Sequence, residues 1–258
     1  MRHSVFNGVV DIHSHILPGV DDGPKSWDDA VELCRLSAAD GVTHQVVTPH
    51  CNDRFQYDRP HLLSLVSQLQ QLAGPELKIL LGCDFHFSYD NLQRVLADPA
   101  GYAIEGTRYL LVELSDYGIP PQITDSFLKL GDCGITAIIT HPERNRILHE
   151  NLHWVLDWAA QGLVVQVTAN SLTGFWGERS RRAAEWLLRH DAVHILASDC
   201  HDTARRVPGL SAARDAAAAI CGAETADTLV NGNPMAVIRN QSLPYFPSPA
   251  VGPRERLA

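Results

Sequence analysis

Seven short apolar runs, rich in Val, Ile and Leu, recur along the chain with segments of helical period between them. The runs are Val9–His13, Gln45–Thr48, Ile79–Leu81, Tyr109–Glu113, Ala137–Thr140, Val164–Thr168 and His194–Ala197. Helices are expected over Ser26–Asp40, with Ser26 as N-cap and Gly41 just past the end, and over Arg59–Leu72, Gln122–Asp132, Asn151–Gln161 and Glu178–His190. Further helices are expected near Ser211–Cys221 and Ala226–Val230. Continuous apolar strands that alternate with helices read as βαβ units around a parallel sheet buried on both faces. The fold class is therefore α/β, and seven repeats favour a barrel over an open sheet. No break in composition marks a second domain, so residues 1–242 read as one domain. Residues 243–258 carry Pro244, Pro247, Pro249 and Pro253 and read as an extended or disordered tail.

Charge narrows the partners. The 258 residues hold 21 Lys and Arg against 30 Asp and Glu, a net charge of −9. That balance argues against nucleic acid and anionic membranes, and an anionic substrate would need a local cluster of arginines. No apolar run approaches the ~20 residues of a membrane helix. The opening MRHSVFNGVVDIHSHI shows no basic segment followed by a long apolar one, so no secretion signal is expected. Cys34, Cys51, Cys83, Cys133, Cys200 and Cys221 form no CxxC pair, which suits reduced thiols in a cytoplasm.

The chemistry gathers at the C-terminal ends of the expected strands. His13, His15 and Asp22 follow the first, His50 the second, and Asp84 and His86 the third. Glu113 ends the fourth, His141 follows the fifth, and Asp199 and His201 follow the seventh; the sixth offers only Asn170. In parallel α/β folds those ends share one face, where active sites are built. Histidine with carboxylate and no thiolate suits zinc, manganese or iron, and carboxylate-rich sets lean to manganese or magnesium. Ten such groups exceed the needs of one ion, so two or three metals are expected. His3, His44, His61, His149, His153, His190 and His194 lie off this pattern and read as surface or core residues.

Two arginine-bearing stretches lie at the same ends. THPERNR carries Arg144 and Arg146, and SDCHDTARR carries Arg205 and Arg206. Guanidinium forks match phosphate oxygens, and metals beside arginines point to phosphate-ester hydrolysis. Cys200 to Arg206 also spells C-x5-R, the pattern of cysteine-dependent tyrosine phosphatases. That loop has no glycine to cradle phosphate, and Asp199 and His201 on either side of the cysteine already serve as metal candidates.

Taken together, DIHSHILPGVDDGPKS, TPH, GCDFH, VELS, THPERN, SLTG and ASDCHD with its following arginine resemble the PHP (polymerase and histidinol phosphatase) superfamily. More narrowly they resemble the bacterial manganese-dependent tyrosine phosphatases of capsule and exopolysaccharide operons. The resemblance runs from about Val9 to Pro234 and implies a distorted seven-stranded (β/α) barrel with a trinuclear site. It implies that His13, His15 and Asp199 hold one metal, Asp22, His50 and His201 a second, and Glu113 with His141 a third. Manganese is the implied ion, with iron, zinc or magnesium as alternatives. Where the family has a bridging glutamate this chain has Asp84, one methylene shorter, so a bridge needs the backbone to sit closer by ~1–1.5 Å. His86 is then a further ligand or a substrate contact. Arg144 and Arg206 are implied to grip phosphate while a metal-activated hydroxide attacks a phosphotyrosine. The implied partner is a membrane-bound tyrosine kinase of polysaccharide export, met without membrane insertion. The alternatives are a small-molecule phosphatase of the histidinol-phosphate type and a metal-bound protein that docks the kinase without catalysis.

Overall fold

The protein is described here from a computed structural model covering residues 8–247 and 249; His3 and the end of the Pro-rich stretch lie outside the described residues. In chain order the main elements are β1 (Val9–Ser14), α1 (Trp27–Ala39), β2 (Val42–Val47), β3 (His50–Cys51), α2 (Arg59–Ala73), β4 (Lys78–Leu81), β5 (Asp84–His86) and α3 (Tyr89–Ala97). They continue with β6 (Tyr109–Glu113), α4 (Ile123–Asp132), β7 (Thr136–Thr140), α5 (Leu152–Ala160), β8 (Val164–Thr168), α6 (Ala169–Leu172), α7 (Gly177–Arg189) and β9 (Ile195–Ala197). Helices α8 (Leu210–Cys221), α9 (Ala223–Asp227) and α10 (Asn233–Ile238) close the described part. Local chemistry sets many of these ends. Ser26 accepts the Asp29 N–H at 3.2 Å and caps α1, and Gly41 lies just past the end at φ +91°. Asp58 caps α2, with Pro60 in its first turn.

Every strand pairing is parallel, in two sheets of order β1-β2-β4 and β3-β5-β6-β7-β8-β9. The second and third expected strands appear as β2 and β4, and each is followed by a further short strand that the apolar runs did not indicate. Pro49 lacks the N–H a ladder needs, so β2 stops before it and β3 resumes after it. Gly82 separates β4 from β5, and a Cβ there would lie 2.9 Å from Val46 Cγ1. The consequence is a change of neighbours. β2 and β4 pair beside β1, whereas β3 and β5 pair beside β6. The sheets meet again at Ser14 and Cys200, where Asp199 N donates to His13 O at 2.8 Å and His15 N donates to Cys200 O at 2.9 Å.

Side chains alternate along the strands between two clusters, as period-two geometry requires. Leu110 and Val112 pack with the helices, while Tyr109 and Leu111 join Val10, Ile12, Val46, Ile138, Val164 and Ile195 in an inner cluster. That inner cluster draws on both sheets. It leaves one end of the strands free to carry polar groups.

Within the Pro-rich stretch, residues 243–246 make contacts with the rest of the fold. Asn233 donates to Tyr245 O at 2.7 Å and accepts the Tyr245 N–H at 3.0 Å. Leu243 packs against the inner cluster, and the Phe246 ring meets His194 at 4.4 Å. Tyrosine and phenylalanine between the prolines supply enough apolar surface to dock, which proline content alone does not reveal.

His194 is fully buried and accepts the Val165 N–H through Nδ1 at 3.1 Å. Burial pushes its pKa down to about 3, against about 6.5 when exposed. Below pH ~6.5 the unfolded chain takes up a proton that the folded one refuses, so stability falls as pH falls towards 3. Urea unfolding at pH 7 and pH 5 should show a loss of roughly 1–2 kcal/mol from this residue. His194→Gln should flatten that dependence.

Candidate metal and anion site

The strand ends bring the expected ligands to one place. His13 Nε2 lies 3.2 Å from His15 Nε2, 3.6 Å from Asp84 and 3.5 Å from Asp199 Oδ1. His50 spans two carboxylates, Nδ1 at 3.0 Å from Asp84 and Nε2 at 3.3 Å from Asp22. His201 Nε2 also reaches Asp22 at 3.3 Å, and Glu113 lies 3.8 Å from both His50 and His141. His86 stands 3.4 Å from Glu113 at the edge.

Supporting groups aim these rings. Gln166 Oε1 accepts from His13 Nδ1 at 3.0 Å, Asp21 Oδ2 from His15 Nδ1 at 2.8 Å, and the Asp199 carbonyl from His201 Nδ1 at 2.9 Å. With Nδ1 committed as donor, each Nε2 presents a lone pair to the centre, the arrangement of metal-binding histidines. The backbone is also constrained. His141 and Asp199 sit at φ 34° and 52°, left-handed values that cost non-glycine residues energy and recur at functional sites.

The donor set fits divalent cations. Both Asp84 oxygens and His201 Nε2 are buried without a hydrogen-bond partner, a costly condition that a coordinated ion relieves. Three tight groupings can each hold an ion: His15, Asp22, His50 and His201; His13, His15 and Asp84; and His50, Asp84 and Glu113. His15 thus falls among the residues expected around a second metal, while Asp199 and His141 stand outside the tight groups. Asp84 belongs to two of them. Its shorter side chain reaches His13, His15 (3.8 Å) and His50 from β5.

Charge inside the cluster is lopsided. Burial opposes ionisation of His13, yet the Asp199 and Asp84 carboxylates hold its pKa up at about 9. Burial, together with His201 and His50, drives its neighbour His15 down to about 3. Burial works against Asp199 too, but Arg144 and Arg206 keep it ionised well below the carboxylate range.

Arg144 pairs with Asp199 Oδ2, and Arg206 donates to the same oxygen at 2.7 Å. The Arg206 Nε is buried and has no acceptor. Both guanidinium groups stack on Trp176, their centres 3.9 Å and 5.2 Å from the ring. A cleft of about 360 Å³ opens beside them, lined by His86, Glu113, Tyr117, His141, Arg144 and Trp176 among others. Arg146 and Arg205 are exposed, and Asn170 donates to Val207 O at 3.2 Å, a structural contact. Cys200 is fully buried, its thiol pushed well up by burial, so the C-x5-R pattern builds no nucleophile.

Residues 9–239 match the family described as capsular polysaccharide synthesis, CpsB/CapC. The chain belongs to the CpsB/CapC family. Among its relatives, a protein named putative tyrosine-protein phosphatase CapC from Staphylococcus aureus is 32% identical over 202 residues, 77% of this chain and 79% of that one. The tyrosine-protein phosphatase CpsB of Streptococcus pneumoniae is 30% identical over 242 residues, 90% of this chain and 99% of its own. A crystal structure from work on YwqE of Bacillus subtilis and CpsB of Streptococcus pneumoniae, described as unique metal-dependent tyrosine phosphatases, superposes with a TM-score of 0.87. It is 27% identical and covers 93% of this chain and 99% of that one.

In this CpsB/CapC chain the sequence reading missed the groups that aim the ligands. Gln166 sits mid-strand and Asp21 beside a named ligand, and neither has a signal apart from its neighbours. Trp176 had one, an aromatic residue in the glycine-bounded GFWG. The sharpest check on the aiming groups is Gln166→Ala. Losing the acceptor of His13 should weaken metal binding about 10–100-fold, read by titrating metal-stripped protein, with little change in the unfolding midpoint.

Proposed function

We propose that this chain is a metal-dependent protein-tyrosine phosphatase of capsule synthesis. In this reading it is a PHP-type, distorted seven-stranded barrel that holds manganese and acts in the cytoplasm. Its substrate would be a phosphotyrosine protein, a membrane-bound polysaccharide-export kinase, which it meets without entering the membrane. One observation carries the reading: two arginines converge on Asp199, a carboxylate that also reaches His13 and His15. An anion held by those arginines lies against the metal cluster. The relatives named as tyrosine-protein phosphatases support the choice of substrate. Among the described residues no helix is long and apolar enough to cross a membrane, and all six cysteines are free.

His13, His15, Asp22, His50, Asp84, Glu113, His141, Asp199 and His201 would hold two or three ions. A histidine–carboxylate set without thiolate suits manganese. When bound, such ions supply Lewis acidity and make water a nucleophile near neutral pH. The chain's own part is binding and alignment. Arg144 and Arg206 take the non-bridging phosphate oxygens, where charge-assisted hydrogen bonds stabilise the transferring group. Leu114, Pro142, Leu148 and Trp176 give the cleft apolar surface for an aryl ring. A phenolate, with a pKa of about 10, leaves without a proton donor. The alkoxide of a histidinol-type phosphate would need one, so aryl esters are favoured.

Turnover of a phosphotyrosine peptide and of histidinol phosphate decides between these substrates, each measured after chelation and after iodoacetamide. Expected are loss with chelator, recovery with manganese, survival of alkylation and little action on histidinol phosphate. Arg206→Ala should lower kcat/KM by about 10²–10³. Activity that outlasts chelation and dies on alkylation would sink the reading.

A further inference from the structure

We infer that Trp176 is a positioning residue for the anion site, its indole face setting the direction of both Arg144 and Arg206. The inference rests on the phosphatase reading for what the arginines bind, but not for how they are held. The two guanidinium groups come from different parts of the chain, one in the turn after β7 and one in the loop after β9. They share two neighbours, the Asp199 carboxylate and the Trp176 ring. The carboxylate draws both charges to one oxygen, and beyond it each fork has one long hydrogen bond, Arg144 to Thr168 Oγ1 at 3.4 Å and Arg206 to Asp199 O at 3.3 Å, which leaves its plane loosely set. A flat ring beneath them supplies the missing restraint, because a guanidinium stacks parallel to an aromatic face and keeps its N–H edge outward. Among the described residues, the buried Nε–H of Arg206 has no acceptor.

Trp176 is itself held in place. It lies between Gly174 and Gly177, both at positive φ (+87° and +86°), and any side chain there would be strained. This turn puts the indole at the start of α7 instead of along its surface. The Phe175 ring meets it edge-on at 5.1 Å and 90°. Trp176 also lines the cleft beside the arginines. The ring therefore restrains the two arginines through its face, and it donates no hydrogen bond of its own to them.

The test uses full-length protein reconstituted with manganese, with para-nitrophenyl phosphate as substrate and inorganic phosphate as competing ligand. Trp176→Ala should lower kcat/KM and weaken phosphate inhibition, each by about tenfold, the scale of losing two stacked cations. Metal content should stay at the wild-type level. Trp176→Phe, which keeps a face, should recover most of the loss. In an Arg144→Ala, Arg206→Ala background, Trp176→Ala should change phosphate affinity by less than twofold, because its partners are gone. Trp176→Ala within twofold of wild type, a loss that persists in that background, or a loss that tracks metal content would each overturn the inference. A wild-type chain that binds phosphate without turning over aryl esters would instead sink the phosphatase reading, and the binding arm would still decide the role of Trp176.

Discussion

The Asp11 carboxylate lies where the two sheets meet. It accepts the Gln45 side chain of β2 at 2.8 Å, and from the end of β9 the Ser198 N–H at 3.0 Å and hydroxyl at 2.5 Å. Burial raises its pKa to about 6 although these donors favour the charged form. A buried carboxylate with several fixed donors is costly to displace, so it fixes how β1, β2 and β9 lie relative to one another. His13 is two residues along β1, and Asp199 directly follows Ser198. The distances among the clustered histidines and carboxylates follow from that alignment, and the meeting of Arg144 with Arg206 follows from Asp199.

Parallel strands explain why so much could be read from the chain alone. Apolar runs that stay apolar on both faces have few alternatives, and the ends of Tyr109–Glu113 and Val164–Thr168 fall where the residues place them. The same logic put the histidines and carboxylates on one face. What could not be read has a common physical cause. β3 and β5 are too short to show a period, and their existence depends on Pro49 and on the crowding around Gly82. Helix α6 is a single turn. Gln166, Asp21 and Trp176 act through contacts with residues distant in sequence or already assigned, and such pairings become visible only once the chain is folded.

Asp84 stands where the resemblance leads one to expect a longer carboxylate. Asp84 is placed by β5, a strand that exists because β4 breaks at Gly82. The break moves the strand from the small sheet to the large one and sets the Asp84 carboxylate among His13, His15 and His50. Backbone position thus supplies reach that the side chain lacks. Cys200, whose backbone pairs with the end of β1, is fully buried, so its thiol stays out of contact with solvent.

The left-handed backbone at His141 and Asp199 has a consequence for how this protein tolerates change. Such conformations cost of order 1–3 kcal/mol each and persist when the surroundings enforce them. Here the surroundings are oppositely charged groups, Arg144 and Arg206 on Asp199 and the carboxylates around His13, which hold the backbone in place. The strain at this end of the strands is offset by those ion pairs and by the apolar strands and helices on both faces of the sheets. Glycine suits both backbone conformations, yet at position 199 it would leave Arg144 and Arg206 without the carboxylate they share. Backbone ease and charge pairing are set against each other at Asp199, and the aspartate found there satisfies the arginines at the expense of the backbone.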